Sequence, residues 1–333
     1  MGGELCRQML FAGAKRLYLM GHGEDSIYLV LNDLKLLQRN GTGEKTALVP
    51  IIGELQDKEF VEFIIKHLKA DIIFHTAAHK HVPLMEENPV ECIKNNVFGT
   101  YNLINAVKSS GVDKFVFVSS DKAIEPSSVY GASKTLCERL VFETGDTRFR
   151  AVRFGNVIGS KGSVIPLWIR QLEMGKPISV TSPDVRRFFM SISEAVSLII
   201  TIAGNEFGGS LYALDMGESI LIRELAMRLI AQCKLDNNPT IEYTGLRPGE
   251  KLDEKLWSED EIAVPSSFEG VLEIQNKQQE EDGAELEAII NFLKPICFFD
   301  AENPDVFRNK ALLKRFLKKW FPGLEVKKYE SKY

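Results

Sequence analysis

Residues 117–134 read FVSSDKAIEPSSVYGASK and set an Asp-Lys pair, Asp121 and Lys122, one short loop before a Tyr-x-x-x-Lys pair, Tyr130 and Lys134. A phenol, with a pKa of ~10, is a poor base at neutral pH, but a nearby ammonium favours its ionised form. Lys134 can supply that ammonium, and a nicotinamide ring beside it would add a second positive charge. Such a tyrosinate can take the proton from a sugar hydroxyl as hydride leaves the carbon. An exposed pair on a helix surface would show the same spacing; the S-S-D-K run next to it weighs against that reading.

The elements that must position these groups follow from pattern. The apolar run at 114–118, KFVFV, predicts a buried parallel strand, so Ser119, Ser120, Asp121 and Lys122 fall at its carboxyl end, where open α/β sheets bind ligands. Pro126 interrupts the chain, and 131–143 predicts a helix with Leu136, Leu140 and Val141 on one face. Tyr130 and Lys134 then lie one turn apart and point the same way.

The block resembles the S/T-D-K-A…Y/M-G-A-S/T-K signature of bacterial polysaccharide-biosynthesis nucleotide-sugar 4,6-dehydratases, in the extended short-chain dehydrogenase/reductase superfamily. HTAAHKHVPLMEENPVECIKNN at 75–96, RFGNVIGSKGSVIP at 153–166 and GLRPGEKLDEKL at 245–256 carry the same likeness, which runs from about residue 2 to about residue 260. It is nearest to the catalytic half of the large capsule and exopolysaccharide members. The resemblance implies a Rossmann-type doubly wound parallel sheet with a smaller C-terminal α/β substrate lobe. It also implies NAD as cofactor and UDP-N-acetylglucosamine or a related UDP-hexosamine as substrate.

In the mechanism so implied, Tyr130 takes the C4 hydroxyl proton, while Lys134 tunes it and binds the ribose. Ser120 holds the C4 oxygen, neutral Lys122 removes the C5 proton and Asp121 in acid form protonates the leaving C6 hydroxyl. Many large relatives carry Met where Tyr130 stands, so the stereochemistry at C5 stays open. An epimerase or reductase using the same Tyr and Lys, and a non-catalytic NAD- or UDP-sugar-binding protein, are the alternatives.

The remaining chain supplies the cofactor and substrate contacts. Relatives begin with an apolar strand and a G-x-x-G-x-x-G turn, whereas here Gly2 matches only the last glycine, ahead of a helix over 4–11 whose amino end should face the pyrophosphate. A shortened start and a variant without tight cofactor binding both fit; the intact later motifs favour the first. With that central strand missing, its neighbours are expected to expose unpaired edges or close on each other. Strands are expected at 15–20, 47–52, 71–75 and 149–154. Glu24 follows the first of these in G-H-G-E, where many sites place a ribose-binding acid, and no basic residue there would hold a 2′-phosphate. Glu54 stands on the adenine side, although a surface turn explains it almost as well. Ala77 and Ala78 allow a ligand close to the backbone, Lys80 contacts cofactor or substrate, and Asn96, in a helix over 89–110, supports the active-site lysine through water. Asn156 holds the nucleotide diphosphate, Arg187 and Arg247 suit bidentate phosphate contact, and Glu250 contacts substrate or orients Arg247.

Bulk properties fit one enzyme of moderate size. Of the 333 residues, 44% are hydrophobic, enough for a sizeable core, and the net charge of −5 gives no reason to expect nucleic acid. The five cysteines lack C-x-x-C or metal-ligand spacing, so reduced thiols, a cytoplasmic location and no metal site are expected. No apolar run reaches the ~18 residues of a spanning helix. A basic helix at 309–320 would suit peripheral contact with anionic lipid or, alternatively, packing on the domain. The expected organisation is an NAD-binding Rossmann domain over 1–155 lacking its first strand, a mainly substrate-binding lobe over 156–265 and a helical extension over 266–333. A homo-oligomer is expected.

Overall fold

In the computed structural model, which describes residues 1–160, 162–204, 211–233, 240–277 and 283–326, the apolar runs form the expected parallel strands. They are β1 (Arg16–Gly21), β2 (Ala47–Ile52), β3 (Ile72–His75), β4 (Lys114–Val118) and β5 (Phe149–Arg153). β3, β4 and β5 pair in parallel, and the strand Leu211–Leu214 joins β5 in parallel. The antiparallel hairpin Glu261–Pro265 and Val271–Asn276 completes this six-stranded sheet. Helices between successive strands cover it, as a doubly wound Rossmann-type fold requires.

The sheet is divided where the sequence lacks a strand. β1 and β2 pair only with each other, and β1 does not pair with β3. Of the two outcomes expected there, the structure takes the open one. Leu17, Tyr18 and Met20 of β1 and Ile72, Ile73 and Phe74 of β3 are only half-buried, whereas central parallel strands are ordinarily covered on both faces. The outlying pair has a small core of its own, with Leu10, Leu19 and Leu34 buried among the helices Gly2–Phe11 and Glu24–Arg39.

The main core is formed by β3–β5 and the helices around them, with Phe115, Val116, Phe149, Ala151 and Val152 almost fully enclosed. A second core, around Trp168, Ile178, Val180, Val185 and Ile222, supports the smaller lobe. The boundary expected at 265/266 falls inside the hairpin, so 271–276 is strand and not part of a helical extension. Residues 278–282 of the expected extension lie outside the described residues. The helices Gly283–Cys297 and Lys310–Trp320 pack back on the main domain, burying Leu293, Leu313 and Leu317. No helix among the described residues is long and apolar enough to cross a membrane.

Candidate active site

The helix carrying Tyr130 and Lys134 runs Val129–Phe142, two residues earlier than the periodicity predicts, because Ser128 caps it. The Ser128 side chain accepts from the Gly131 amide at 3.0 Å. The Glu86 carboxylate accepts from the Val129 amide at 2.7 Å, and Lys314 of the last helix holds Glu86 at 3.2 Å. Glycine is required at 131, because a Cβ there would sit 2.4 Å from the Lys122 carbonyl oxygen and 3.0 Å from Pro126 Cβ. The absent side chain lets the Asp-Lys loop lie directly on the Tyr-Lys helix.

Asp121 and Lys122 follow β4 in a single 3₁₀ turn, Asp121–Ala123. Asp121 is buried, and its Oδ1 accepts from Ser120 Oγ at 2.8 Å and Lys122 Nζ at 3.0 Å. Its Oδ2 is buried with no hydrogen-bond partner and faces Gly155, where a Cβ would lie 3.3 Å away. Lys122 also lies 3.9 Å from Glu254 Oε1. Burial works to lower the Lys122 pKa, but the carboxylates of Asp121 and Glu254 outweigh it, and the amine is held above the ordinary lysine value. The neutral Lys122 expected from the resemblance is therefore not the state this environment favours.

Tyr130 and Lys134 also differ from expectation. Burial pushes the Tyr130 phenol up, the Asp121 charge adds to this, and the hydrogen bond with Ser120 opposes it. Lys134 donates from Nζ to the Val118 carbonyl at 2.6 Å and lies 4.0 Å above the Phe117 ring, so its charge is directed at the end of β4. Burial lowers its pKa to about 8.

Asn96 sits in a π-helical turn, Lys94–Phe98, between the helices Pro89–Ile93 and Gly99–Lys108, which together replace the continuous helix expected over 89–110. Its Oδ1 accepts from the His79 amide at 2.8 Å, and its Nδ2 donates to the His79 carbonyl at 3.1 Å and to Ser133 Oγ at 3.0 Å. Asn96 thus clamps the loop after β3 to the Tyr130 helix.

The cofactor-side residues gather at the ends of β1 and β3. The helix Gly2–Phe11 has no side-chain cap at its amino end, and a Cβ on Gly2 would lie 3.2 Å from Thr76 Oγ1. Ala77 is exposed and Ala78 half-buried just beyond, and the rings of His22 and His79 are 6.2 Å apart. Burial lowers the His79 pKa, against which the charge of Glu54 works. Glu54 and Lys80 are exposed, and burial of the Lys80 amine, with Lys122 nearby, lowers its pKa. Glu24 is exposed in the first turn of its helix, where it complements the helix dipole.

On the substrate side, Asn156 is half-buried in the short strand Asn156–Ile158, directly after Gly155. Arg187 is buried and turned inward. Its Nη1 donates to the carbonyls of Arg186 and Leu252, and its Nη2 to the Lys251 carbonyl and Glu250 Oε1. The phosphate contact expected of Arg187 is thus replaced by a grip on the 250–252 backbone. Arg247 is exposed, and Glu250 Oε2 accepts from its amide and Nε at 3.3 and 3.2 Å, so Glu250 orients Arg247. Among the described residues no group of His, Cys, Asp or Glu is arranged to hold a metal ion. Sequence reasoning missed Glu254, Gly155 and Glu86: each stood inside or beside a quoted motif, but spacing alone gave no sign of its contacts.

A doubly wound parallel sheet whose Ser-Asp-Lys strand end lies on a Tyr-x-x-x-Lys helix defines the class of extended short-chain dehydrogenase/reductases. The family model of polysaccharide biosynthesis proteins matches residues 1–276, and the chain belongs to that family. It is 41% identical over 276 residues to the capsular polysaccharide biosynthesis protein CapD of Staphylococcus aureus, covering 81% of this chain but 45% of that protein. The chain therefore spans less than half the length of that relative. It is 32% identical over 245 residues to an inverting UDP-N-acetylglucosamine 4,6-dehydratase of Campylobacter jejuni, covering 72% of this chain and 71% of that enzyme. The solved structure of Pen from Bacillus thuringiensis superposes with a TM-score of 0.72 at 30% identity, over 87% of this chain and 95% of that one.

Proposed function

We propose that the chain is an NAD-dependent nucleotide-sugar 4,6-dehydratase acting on UDP-N-acetylglucosamine or a related UDP-hexosamine. The observation that carries this reading is the assembly at the end of β4. Asp121 presents an unpartnered buried carboxyl oxygen, and Lys122 lies 3.0 Å from its other oxygen, on the loop packed against the Tyr130 helix. An oxidation at C4 alone needs only a base such as Tyr130; elimination across C5 and C6 needs a further acid and base, which this pair supplies.

NAD, when bound, would accept hydride from C4 and return it to C6. The residues that fit it are the uncapped amino end of the helix Gly2–Phe11, suited to a diphosphate, the small Ala77 and Ala78, Glu54, Lys80 and Lys134. Tyr130 takes the C4 hydroxyl proton, with Ser120 holding the C4 oxygen. With substrate bound, the Lys122 ammonium passes a proton to Asp121, 3.0 Å away, and the neutral amine then takes the proton from C5, made acidic by the C4 ketone. Asp121 gives the proton it received to the C6 hydroxyl, which leaves as water. Arg247, oriented by Glu250, and Asn156 hold the diphosphate. A tyrosine buried as Tyr130 needs a nearby positive charge to ionise, so its basicity depends on the occupied site.

The test is incubation of the full chain with UDP-N-acetylglucosamine and NAD in deuterated water, followed by proton NMR. A 4-keto-6-deoxy product carrying deuterium at C5 supports the reading. A folded chain that consumes no sugar, or yields only a C4 epimer, overturns it.

A further inference from the structure

The mechanism above leaves one buried acid unused. Glu254 lies in the segment after Arg247, its side chain 4% exposed, with Oε1 3.9 Å from Lys122 Nζ and Oε2 without a hydrogen-bond partner. Its backbone is fixed from two sides. Arg187 grips the carbonyls of Lys251 and Leu252, and Lys251 Nζ donates to the Ile124 carbonyl at 2.8 Å, tying this segment to the loop that carries Asp121 and Lys122. The Lys122 ammonium thus stands between two carboxylates on separate parts of the chain, each with one oxygen unpartnered.

We propose that Glu254 is a positioning residue for Lys122, holding its amine in register with Asp121 and setting how readily it gives up its proton. Among the described residues, the groups facing this cluster come from several elements, with Glu125 and Lys255 acting on Lys251 at its edge. Asp121 is on Lys122's own turn, and Glu254 and Lys251 come from the 251–256 segment. Arg187 comes from the strand Arg186–Arg187, Lys80 from the loop after β3, and Tyr130 from the helix below. Of these, only Asp121 and Glu254 act to keep Lys122 protonated; Arg187 and Lys80 oppose it. Burial pushes the Glu254 pKa up, against the pull of Lys122, as for an acid enclosed with a cation it only just reaches. Without Glu254, one of the two carboxylates that stabilise the ammonium is gone, and the amine becomes neutral at lower pH.

The inference rests on the dehydratase reading for what Lys122 does, but its test is independent of turnover. The full chain and its E254Q and E254D variants are exposed to an amine-acylating reagent at pH 8.5. Labelling of Lys122 is followed by peptide mass spectrometry against exposed Lys58. Lys122 is expected to label about ten times faster in E254Q, one unit of pKa being a factor of ten in neutral amine, with E254D in between. In the active enzyme the acid limb of the kcat/KM pH profile moves to lower pH in E254Q. Equal Lys122 labelling in all three chains, each checked by its unfolding curve, overturns the inference. Faster labelling in E254Q from a chain that makes no C5-deuterated product supports the Glu254 pairing while removing the dehydratase reading.

Discussion

Gly131→Ala is the most informative single change outside the reacting groups. Alanine in place of a helical glycine ordinarily stabilises by up to ~1 kcal/mol. At 131 the new Cβ would meet the Lys122 carbonyl oxygen at 2.4 Å and Pro126 Cβ at 3.0 Å, and the first is backbone that cannot rotate away. Overpacking of this kind costs about 1–3 kcal/mol, so the net effect is a loss of up to ~2 kcal/mol. Gly204→Ala is the control, since it ends a helix and a Cβ there has no neighbour within 4 Å. The relief available to Gly131→Ala is to lift the Asp121–Lys122 turn off the helix, and a shift near 1 Å in a catalytic group costs roughly 100-fold in rate. The assay is urea unfolding by circular dichroism for both variants, with dehydratase rate measured alongside. A Gly131→Ala chain as stable and as active as Gly204→Ala would refute the claim that the absent side chain holds the two catalytic pairs together.

Three further outcomes follow from the buried charges. Arg153 on β5 donates to both oxygens of Glu138 on the Tyr130 helix, at 2.8 and 2.6 Å, and to Glu261 at 2.8 Å; Glu138→Ala leaves the buried guanidinium with Glu261 as its remaining carboxylate and should cost about 3 kcal/mol in urea unfolding. Lys314→Met removes the cation that holds Glu86 against the Val129 amide, and should lower both stability and dehydratase rate although Lys314 belongs to the last helix. Lys134 has a folded pKa of about 8, below its unfolded value, so between about pH 8 and 10.5 the unfolded chain binds more protons and stability rises with pH. The penalty is full below pH 8 and amounts to roughly 3 kcal/mol. Lys134→Met should therefore gain stability over wild type at pH 7.5, with the gap closing by pH 10; a gap independent of pH would count against the burial of this charge.

The sequence made the strands legible because each is a short apolar run, and β2 and β4 were bounded to the residue. It also made legible that Tyr130 and Lys134 share one helix, but not that Lys134 turns to the Val118 carbonyl, which only the fold decides. It did not show that Arg187 turns inward, because a guanidinium suits a backbone carbonyl as well as a phosphate, and only the fold decides which is nearer. The π-helical turn at Asn96 was hidden for a similar reason: an apolar face with one extra residue per turn reads as an ordinary helix. The hairpin 261–276 was missed because its edge-strand alternation is interrupted by charged and polar residues such as Glu261, Glu273 and Gln275. Glu254 lay inside a quoted motif, yet its partner Lys122 is 132 positions away, a contact that only the packing of two loops creates.

The central claim is that hydride leaves C4 and returns to C6 of the same sugar, with water lost between, and it is tested most directly with substrate deuterated at C4. The expected result is a 4-keto product whose deuterium has moved to the C6 methyl group. No exchange between molecules is expected when labelled and unlabelled substrates are mixed. Deuterium returned to C4 with the configuration there inverted would contradict it and make the chain an epimerase.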